Sequence, residues 1–451
     1  MDSLLRDAAE RAILYRKQIQ TRKVIPSDIA IKNLSQFNIP LPESPADEKE
    51  VIKLLDKFGS PATIGISGPR FFGFVIGGSL PVTLAASWIS SAWDQNAGLF
   101  VGSPIGAYLE SVSLKWLLEL FSLPRNSGGA FVTGASMANF TSLAAARHFV
   151  LEKAGWDVES DGLIGSPQIN VIVSEDAHVT IFKALGLLGL GRNRVIKVPV
   201  DSQGRMAANR IPKVKGPTII CAQAGNVNSG SFDPIDEIAD IAKSLGAWLH
   251  IDGAFGLWAA VVPEKAYLVK GIEKADSWAT DAHKLLNVPY DCGLAMVRDE
   301  EVLRSAMTLT ASYLPQEFRR EPSQFTPELS RRSRGIEVWA ALYSLGKKGL
   351  IELVERTCNN AKIFAEGLRK AGFEIINDVV FNQVLVSFGD AETTNNVIKE
   401  IQKDGTCWCG GTIWQGKTIM RISVCSWATT KEDVKLSLNA IIKAASKFQK
   451  V

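Results

Sequence analysis

Between residues 170 and 300 the chain alternates short β-branched runs with helix-forming stretches: NVIVSED then VTIFKALGLLG, RVIKVPV, TIICAQA then DPIDEIADIAKSLG, AWLHIDG, and GLAMVRD. Strands joined through helices are crossover units, because a strand needs a long connection to return parallel to its neighbour. The repeated order predicts a mainly parallel sheet with helices on both faces. Upstream, GAYLESVSLKWLLELFSL and NFTSLAAARHFVLEKAG place apolar residues three and four apart and read as helices. The N-terminal fifty residues read as one helix and a Pro-rich acidic connector, NIPLPESPADEKE, before a further helix that ends on Gly59. After Pro327 the texture changes. RRSRGIEVWAALYSLGKKGLIELVERTCNNAKIFAEGLRKAG is almost continuous helix former with a glycine break, followed by QVLVSF, VIKEIQKDG, TIMRISVCSW and a final helix. That order predicts a smaller α+β domain with an antiparallel sheet. The expected division is an N-terminal helical and interface segment over 1–100, a large α/β domain over 101–330 and a small α+β domain over 331–451.

Composition narrows the function. A chain of 451 residues that is 46% hydrophobic can bury a large core. Fifty basic residues against 47 acidic give +3, no electrostatic case for nucleic acid. No run of about 20 uncharged apolar residues is present to span a membrane, and the first twenty residues lack a secretory apolar region. A soluble cytoplasmic protein is expected. Six scattered cysteines do not make a disulfide scaffold, and Cys407-Trp-Cys409 lacks zinc-ligand spacing, so no metal site is expected.

Three of the four histidines fall where a strand or probable strand gives way to a turn, the edge at which open α/β sheets bind ligands. Asp252 would end the strand WLHID, a costly buried carboxylate unless it meets a positive partner such as a pyridinium nitrogen; a loop aspartate is the plainer alternative. Lys284, in DAHKLLNVPYDCG, lies in a stretch of low charge where desolvation favours the neutral, nucleophilic amine, although an ordinary loop lysine reads the same way. In AFVTGASMAN, the small residues Gly134, Ala135 and Ser136 open a helix whose N-terminus can hold phosphate, and a plain turn fits equally. His178, in SEDAHVTIFKA, stands at a strand mouth where it can cover a flat aromatic cofactor or serve only structure.

The ordered motifs RFFGFVIGGSLP, SPIGAYLE, TGASMANFTSLAAAR, SEDAHVTIFKA, AGNVNSGSFDPI, HIDGAFG, DAHKLLNVPYDCG, LSRRSRGIEVW and MRISVCSW, over roughly residues 60–445, resemble the group II pyridoxal-phosphate-dependent amino-acid decarboxylases. The resemblance implies the fold of the type I pyridoxal enzymes, with a seven-stranded mainly parallel sheet and a smaller C-terminal α+β domain. It implies pyridoxal 5'-phosphate as cofactor, an L-amino acid as substrate, and a homodimer in which both subunits build each site, with residues 70–105 at the interface. Lys284 would form the Schiff base, Asp252 would pair with the pyridine nitrogen, His178 would stack on the ring and contact the reacting carboxylate, and Ala254 would pack on the other face. Ala135 and Ser136 would bind phosphate with His283 beside it. Asn228 stands where relatives carry threonine, and Asp281 where many carry asparagine. Tyr313 matches the loop tyrosine that protonates the substrate carbon after carbon dioxide leaves, a position held by phenylalanine in aldehyde synthases. Arg421 matches an arginine near the substrate carboxylate; apart from the resemblance it would read as a surface arginine on an edge strand. RRSR at 331–334 would anchor the catalytic loop. Phe72, Phe74, Val75, Trp93 and Asn96 would line the substrate pocket. There Val75, Ile76 and Gly77 depart from the aromatic, proline-containing pattern of aromatic-amino-acid decarboxylases, and which amino acid is consumed is left open. The resemblance implies decarboxylation to an amine; the alternative is a carbon–carbon lyase, similar to an aldolase or to sphingosine-phosphate lyase.

Overall fold

A computed structural model describes residues 1–308 and 320–448, and the chain packs as two compact units. The larger holds Ser79–Lys362 with Asn377–Val384, and the smaller holds Met1–Gly78, Ile363–Ile376 and Leu385–Val451. These bounds differ from the expected divisions at residues 100 and 330, for two reasons. The N-terminal helix α1 (Asp2–Gln18) buries none of its residues, and the segment that follows pairs with the C-terminal part of the chain. Phe72 N–H donates to Trp408 O at 2.8 Å, Ser423 N–H to Phe72 O at 2.9 Å, and Arg70 lies 3.3 Å from Asp433. Residues 331–362, in turn, stay with the larger unit, where Ser113 Oγ donates to Gly335 O at 3.1 Å.

In the larger unit α2 (Pro81–Trp93) and α3 (Pro104–Leu120) precede β1 (Gly128–Val132), α4 (Ala135–Glu152), β2 (Asn170–Ser174), α5 (Val179–Leu187), β3 (Ile196–Val198) and β4 (Thr218–Gln223). Then follow α6 (Ile235–Leu245), β5 (Trp248–Asp252), β6 (Ser277–Asp281), β7 (Gly293–Val297) and α7 (Gly335–Lys370), which belongs to this unit up to Lys362. The seven strands lie in the order β1-β7-β6-β5-β4-β2-β3. The pairs β2–β3, β2–β4, β4–β5 and β5–β6 are parallel, whereas β7 runs antiparallel to both β6 and β1. No crossover helix separates β6 from β7, so the chain turns back antiparallel. Every residue of β1 and of β4 to β7 is buried, as expected of strands covered on both faces. Helix α4 lies against this sheet through Leu143 and through Ala138, Ala144, Ala145 and Ala146, whose small side chains bring its axis close to the strands. A Cβ on Gly293, the first residue of β7, would come within 2.5 Å of the Gly134 backbone, so glycine is what lets the turn before α4 sit on that strand. Because β1 is parallel to β6 through the reversal at β7, the ends of β1, β2, β5 and β6 open on one edge of the sheet.

The expected glycine break inside the long C-terminal helix is Gly346, at φ 59° within α7. A second sheet, in the smaller unit except for Gln383 and Val384 of β9, has the order β10-β11-β9-β8, from β8 (Glu374–Ile375), β9 (Gln383–Ser387), β10 (Gly410–Trp414) and β11 (Lys417–Ser423). Its pairs β10–β11 and β8–β9 are antiparallel. Helices α8 (Ala391–Asp404) and α9 (Lys431–Ser446) pack together beside it, and α9 begins with a reciprocal capping box between Thr430 and Asp433.

One buried ion pair ties the start of α7 to α3. Arg331 Nη1 lies 3.0 Å from Glu110 Oε2 with both side chains 1% exposed, and the guanidinium also donates to Phe131 O in β1. Removing one member of such a pair strands the other charge. Glu110→Ala should cost about 3 kcal/mol in chemical denaturation. Lys347→Ala, which breaks the exposed pair with Glu119, should cost under about 1 kcal/mol; equal effects would contradict this account of the fold.

Candidate active site

The end of β5 delivers Asp252 to the open edge of the sheet with only 5% of its surface exposed. A buried carboxylate is tolerated where N–H donors meet it. Asp252 Oδ2 accepts from Asn139 Nδ2 at 3.1 Å, and Oδ1 accepts from Ala254 N–H at 3.2 Å. Ala254 in turn accepts the Asp281 N–H at 2.9 Å, which ties the end of β5 to the end of β6. Asp281 is also buried, and its carboxylate divides between two positive ends. Oδ1 accepts the Ala135 N–H at 2.6 Å, at the N-terminus of α4, while Oδ2 lies 2.8 Å from Lys284 Nζ. Both carboxylates therefore hold α4, one at its first residue and one a turn further along.

His283 Nδ1 accepts the Cys292 N–H at 3.1 Å, which leaves the neutral ring's proton on Nε2, 3.6 Å from Asp281 Oδ1. Burial pushes the His283 pKa down, against the opposing pull of Asp281. Its ring lies against Tyr290, with centroids 4.4 Å apart. His178 is half-buried and caps α5, with Nδ1 at 2.8 Å from Thr180 Oγ1 and 3.4 Å from Thr180 N.

Ala135, Asp252, Ala254, His283 and Lys284 thus join Asp281 in one set of contacts, which His178 enters through Thr180 and Asn139. Ser136 is exposed beside Ala135, and Asn228 sits in the loop after β4 with its N–H on Asn226 Oδ1 at 2.9 Å. Trp93, 44% exposed, ends α2. Asn96 spends its amide on neighbouring chain: Oδ1 accepts from Gly98 N and Arg331 N, each at 3.2 Å, and Nδ2 faces Ser330 Oγ at 3.3 Å. Arg331, first of the RRSR run, is the buried partner of Glu110, while Arg334 pairs with Asp291 at 2.8 Å.

Phe74 and Arg421 belong to the smaller unit. Phe74 is 64% exposed, stacks on Trp408 at 5.3 Å, and with Val75 holds positive φ angles of 55° and 60°, a strained pair of non-glycine residues. Arg421 lies opposite Gly410 on β11, which is an inner strand of its sheet rather than an edge, and burial lowers its pKa. Tyr313 lies outside the described residues.

The sequence reading assigned nothing to Asn139, Thr180 or His250. A signal existed for two of them. Asn139 follows Ala135 by four residues on a helix, and His250 precedes Asp252 by two on a strand, so each shares a face with a residue already singled out.

The donor set fits pyridoxal phosphate. Asp252 is a buried acceptor suited to a protonated ring nitrogen, and the N-terminus of α4 is already engaged by an anion, the carboxylate of Asp281; Lys284 is a primary amine suited to an aldehyde once released from Asp281, a charged neighbour where its sequence context suggested none. Comparison with known proteins agrees. The family described as "Pyridoxal-dependent decarboxylase conserved domain" matches residues 32–389. The aromatic-L-amino-acid decarboxylase of Bacillus atrophaeus is 25% identical over 453 residues, 95% of this chain and 91% of that protein. The acidic amino acid decarboxylase GADL1 of Bos taurus is 30% identical over 323 residues, 68% of this chain and 61% of that one. In fold, the chain superposes on Oryza sativa TDC, crystallised with PLP and tryptamine, at a TM-score of 0.93 with 23% identity, covering 100% of this chain and 98% of the other. By its residues and its type I architecture, the chain belongs to the group II pyridoxal-dependent decarboxylase family.

Proposed function

We propose that this protein uses pyridoxal 5'-phosphate to decarboxylate an L-amino acid, releasing the amine and carbon dioxide. The observation that carries the proposal is the joint hold of Asp252 and Asp281 on α4, which gathers a buried acceptor, a reactive amine and a helix N-terminus at one sheet edge. When bound, pyridoxal phosphate supplies an electron sink for the bond to the departing carboxylate. The chain's own residues do the rest. Lys284 would hold the cofactor through its amine. Asp252 would keep a proton on the ring nitrogen, Ala254 and His178 would hold the ring, and Ala135, Ser136, His283 and Asn228 would hold the phosphate. Tyr313 delivers the proton to the substrate carbon, which favours simple decarboxylation over aldehyde formation. Phe74, Trp93, Asn96 and Arg421 are assigned to the substrate.

Two further assignments have physical support. A homodimer accords with the apolar surface on α2, where Val82, Trp88, Ile89 and Trp93 are exposed together. A cytoplasmic location accords with six free, buried cysteines, and among the described residues no helix is long and apolar enough to cross a membrane.

Carbon dioxide release from a panel of aromatic, acidic, basic, sulfur-containing and diamino L-amino acids tests the reaction. Release with equimolar amine from at least one class is expected; cleavage of β-hydroxy amino acids to aldehydes without carbon dioxide would favour the carbon–carbon lyase. Lys284→Ala should reduce turnover to below about a thousandth and abolish the visible absorbance of bound cofactor. Wild-type turnover in that variant would contradict the role of Lys284. Asp281 competes for the Ala135 N–H and adds a like charge beside the phosphate side. Asp281→Asn keeps an acceptor for that N–H but removes the charge, so it should tighten the binding of pyridoxal phosphate about tenfold in fluorescence titration, and weaker or unchanged binding would contradict that electrostatic cost.

A further inference from the structure

A line of polar side chains crosses the interior of the larger unit from Trp248 to His178. Trp248 Nε1 donates to Ser277 Oγ at 2.8 Å, and His250 Nδ1 lies 2.9 Å from the same oxygen. His250 Nε2 lies 2.9 Å from Asn139 Oδ1. Asn139 Nδ2 faces both Asp252 Oδ2 at 3.1 Å and Thr180 Oγ1 at 3.3 Å, and Thr180 Oγ1 lies 2.8 Å from His178 Nδ1.

Heavy-atom distances leave the histidine protons and the amide orientation open, and the charge on Asp252 closes the question. A carboxylate accepts only, so Asn139 must turn its NH₂ toward Asp252 and its carbonyl toward His250. His250 then donates from Nε2. Burial drives its pKa down to about 3, so the ring is neutral and Nδ1 accepts, taking the Ser277 hydroxyl proton while Ser277 accepts from Trp248. On the other side the second amide proton of Asn139 goes to Thr180 Oγ1. That leaves the Thr180 hydroxyl proton for His178 Nδ1, which the Thr180 backbone N–H also faces at 3.4 Å. Every group from Trp248 to His178 Nδ1 has its partner in this polarity, and reversing it would set the Asn139 carbonyl against Asp252.

We infer that Asn139 is a positioning residue that carries the charge of Asp252 through Thr180 to His178, fixing neutral His178 as the tautomer protonated at Nε2. His178 is then a hydrogen-bond donor at Nε2 and not a base. The inference rests on the proposed decarboxylase only for its use, since a donor is suited to a substrate carboxylate and the opposite tautomer would repel one; the tautomer itself belongs to the polypeptide.

The test needs no cofactor. With four histidines in the chain, [¹⁵N]histidine-labelled protein gives four ring systems, and the one lost on His178→Gln is His178. At mildly alkaline pH its Nδ1 should show the unprotonated and its Nε2 the protonated nitrogen signature. Asn139→Asp replaces the amide donor by acceptors that draw the Thr180 hydroxyl proton away, so the tautomer ratio should move about tenfold or more toward the form protonated at Nδ1. In a Thr180→Val background the same substitution should have no effect, because the coupling is cut. Wild-type protein protonated at Nδ1, or folded Asn139→Asp protein with an unchanged ratio, would overturn the inference. Should Asn139→Asp not fold, Thr180→Val should shift the ratio and Thr180→Ser preserve it; equal ratios in those two variants would overturn it as well. If Lys284→Ala keeps normal turnover while His178 behaves as stated, the decarboxylase assignment fails and the tautomer assignment stands.

Discussion

The active edge of the larger unit depends on one electrostatic problem, the carboxylate of Asp252 held almost out of water at the end of β5. A buried anion has few ways to persist, and here two N–H donors meet it, one from the turn that follows and one from Asn139 on α4. For Asn139 to reach, α4 has to lie close on the sheet. The run of alanines along the helix and the glycine at the start of β7 permit that approach. Packing of the scaffold and charge at the site are in this sense one constraint: a helix set further out would leave Asp252 with the Ala254 N–H alone of these two donors.

Asp281 solves a different problem. The N-terminus of α4 presents unpaired N–H groups and a favourable field for negative charge. Asp281 occupies that position and at the same time pairs with Lys284, so the carboxylate and the lysine neutralise one another beside the helix N-terminus. An asparagine there would leave Lys284 without this partner. Asp281 therefore sets the charge balance at this end of α4.

Much of this edge was legible in the sequence because its signals are local. AWLHIDG reads as a strand ending at Asp252, TGASMAN as a turn into a helix, and the alternation over 170–300 as crossovers, since each depends on neighbours a few residues apart. Other features depend on partners far away in sequence. Asn139 looks like an indifferent helix residue until Asp252 is placed beside it, 113 residues later. The grouping of residues 1–78 with the C-terminal region rests on pairs such as Arg70 with Asp433, for which no local pattern exists. Asn96 reads as a pocket residue by its place in a motif, yet its amide holds the backbone at Gly98 and Arg331.

The central claim is that Lys284 is the residue to which pyridoxal phosphate is bound. Borohydride reduction of the protein loaded with pyridoxal phosphate, followed by peptide mapping by mass spectrometry, reads that bond directly. The account predicts a single pyridoxyl-modified lysine, Lys284, at close to one per chain. Modification confined to other lysines, or none at saturating cofactor, would contradict it.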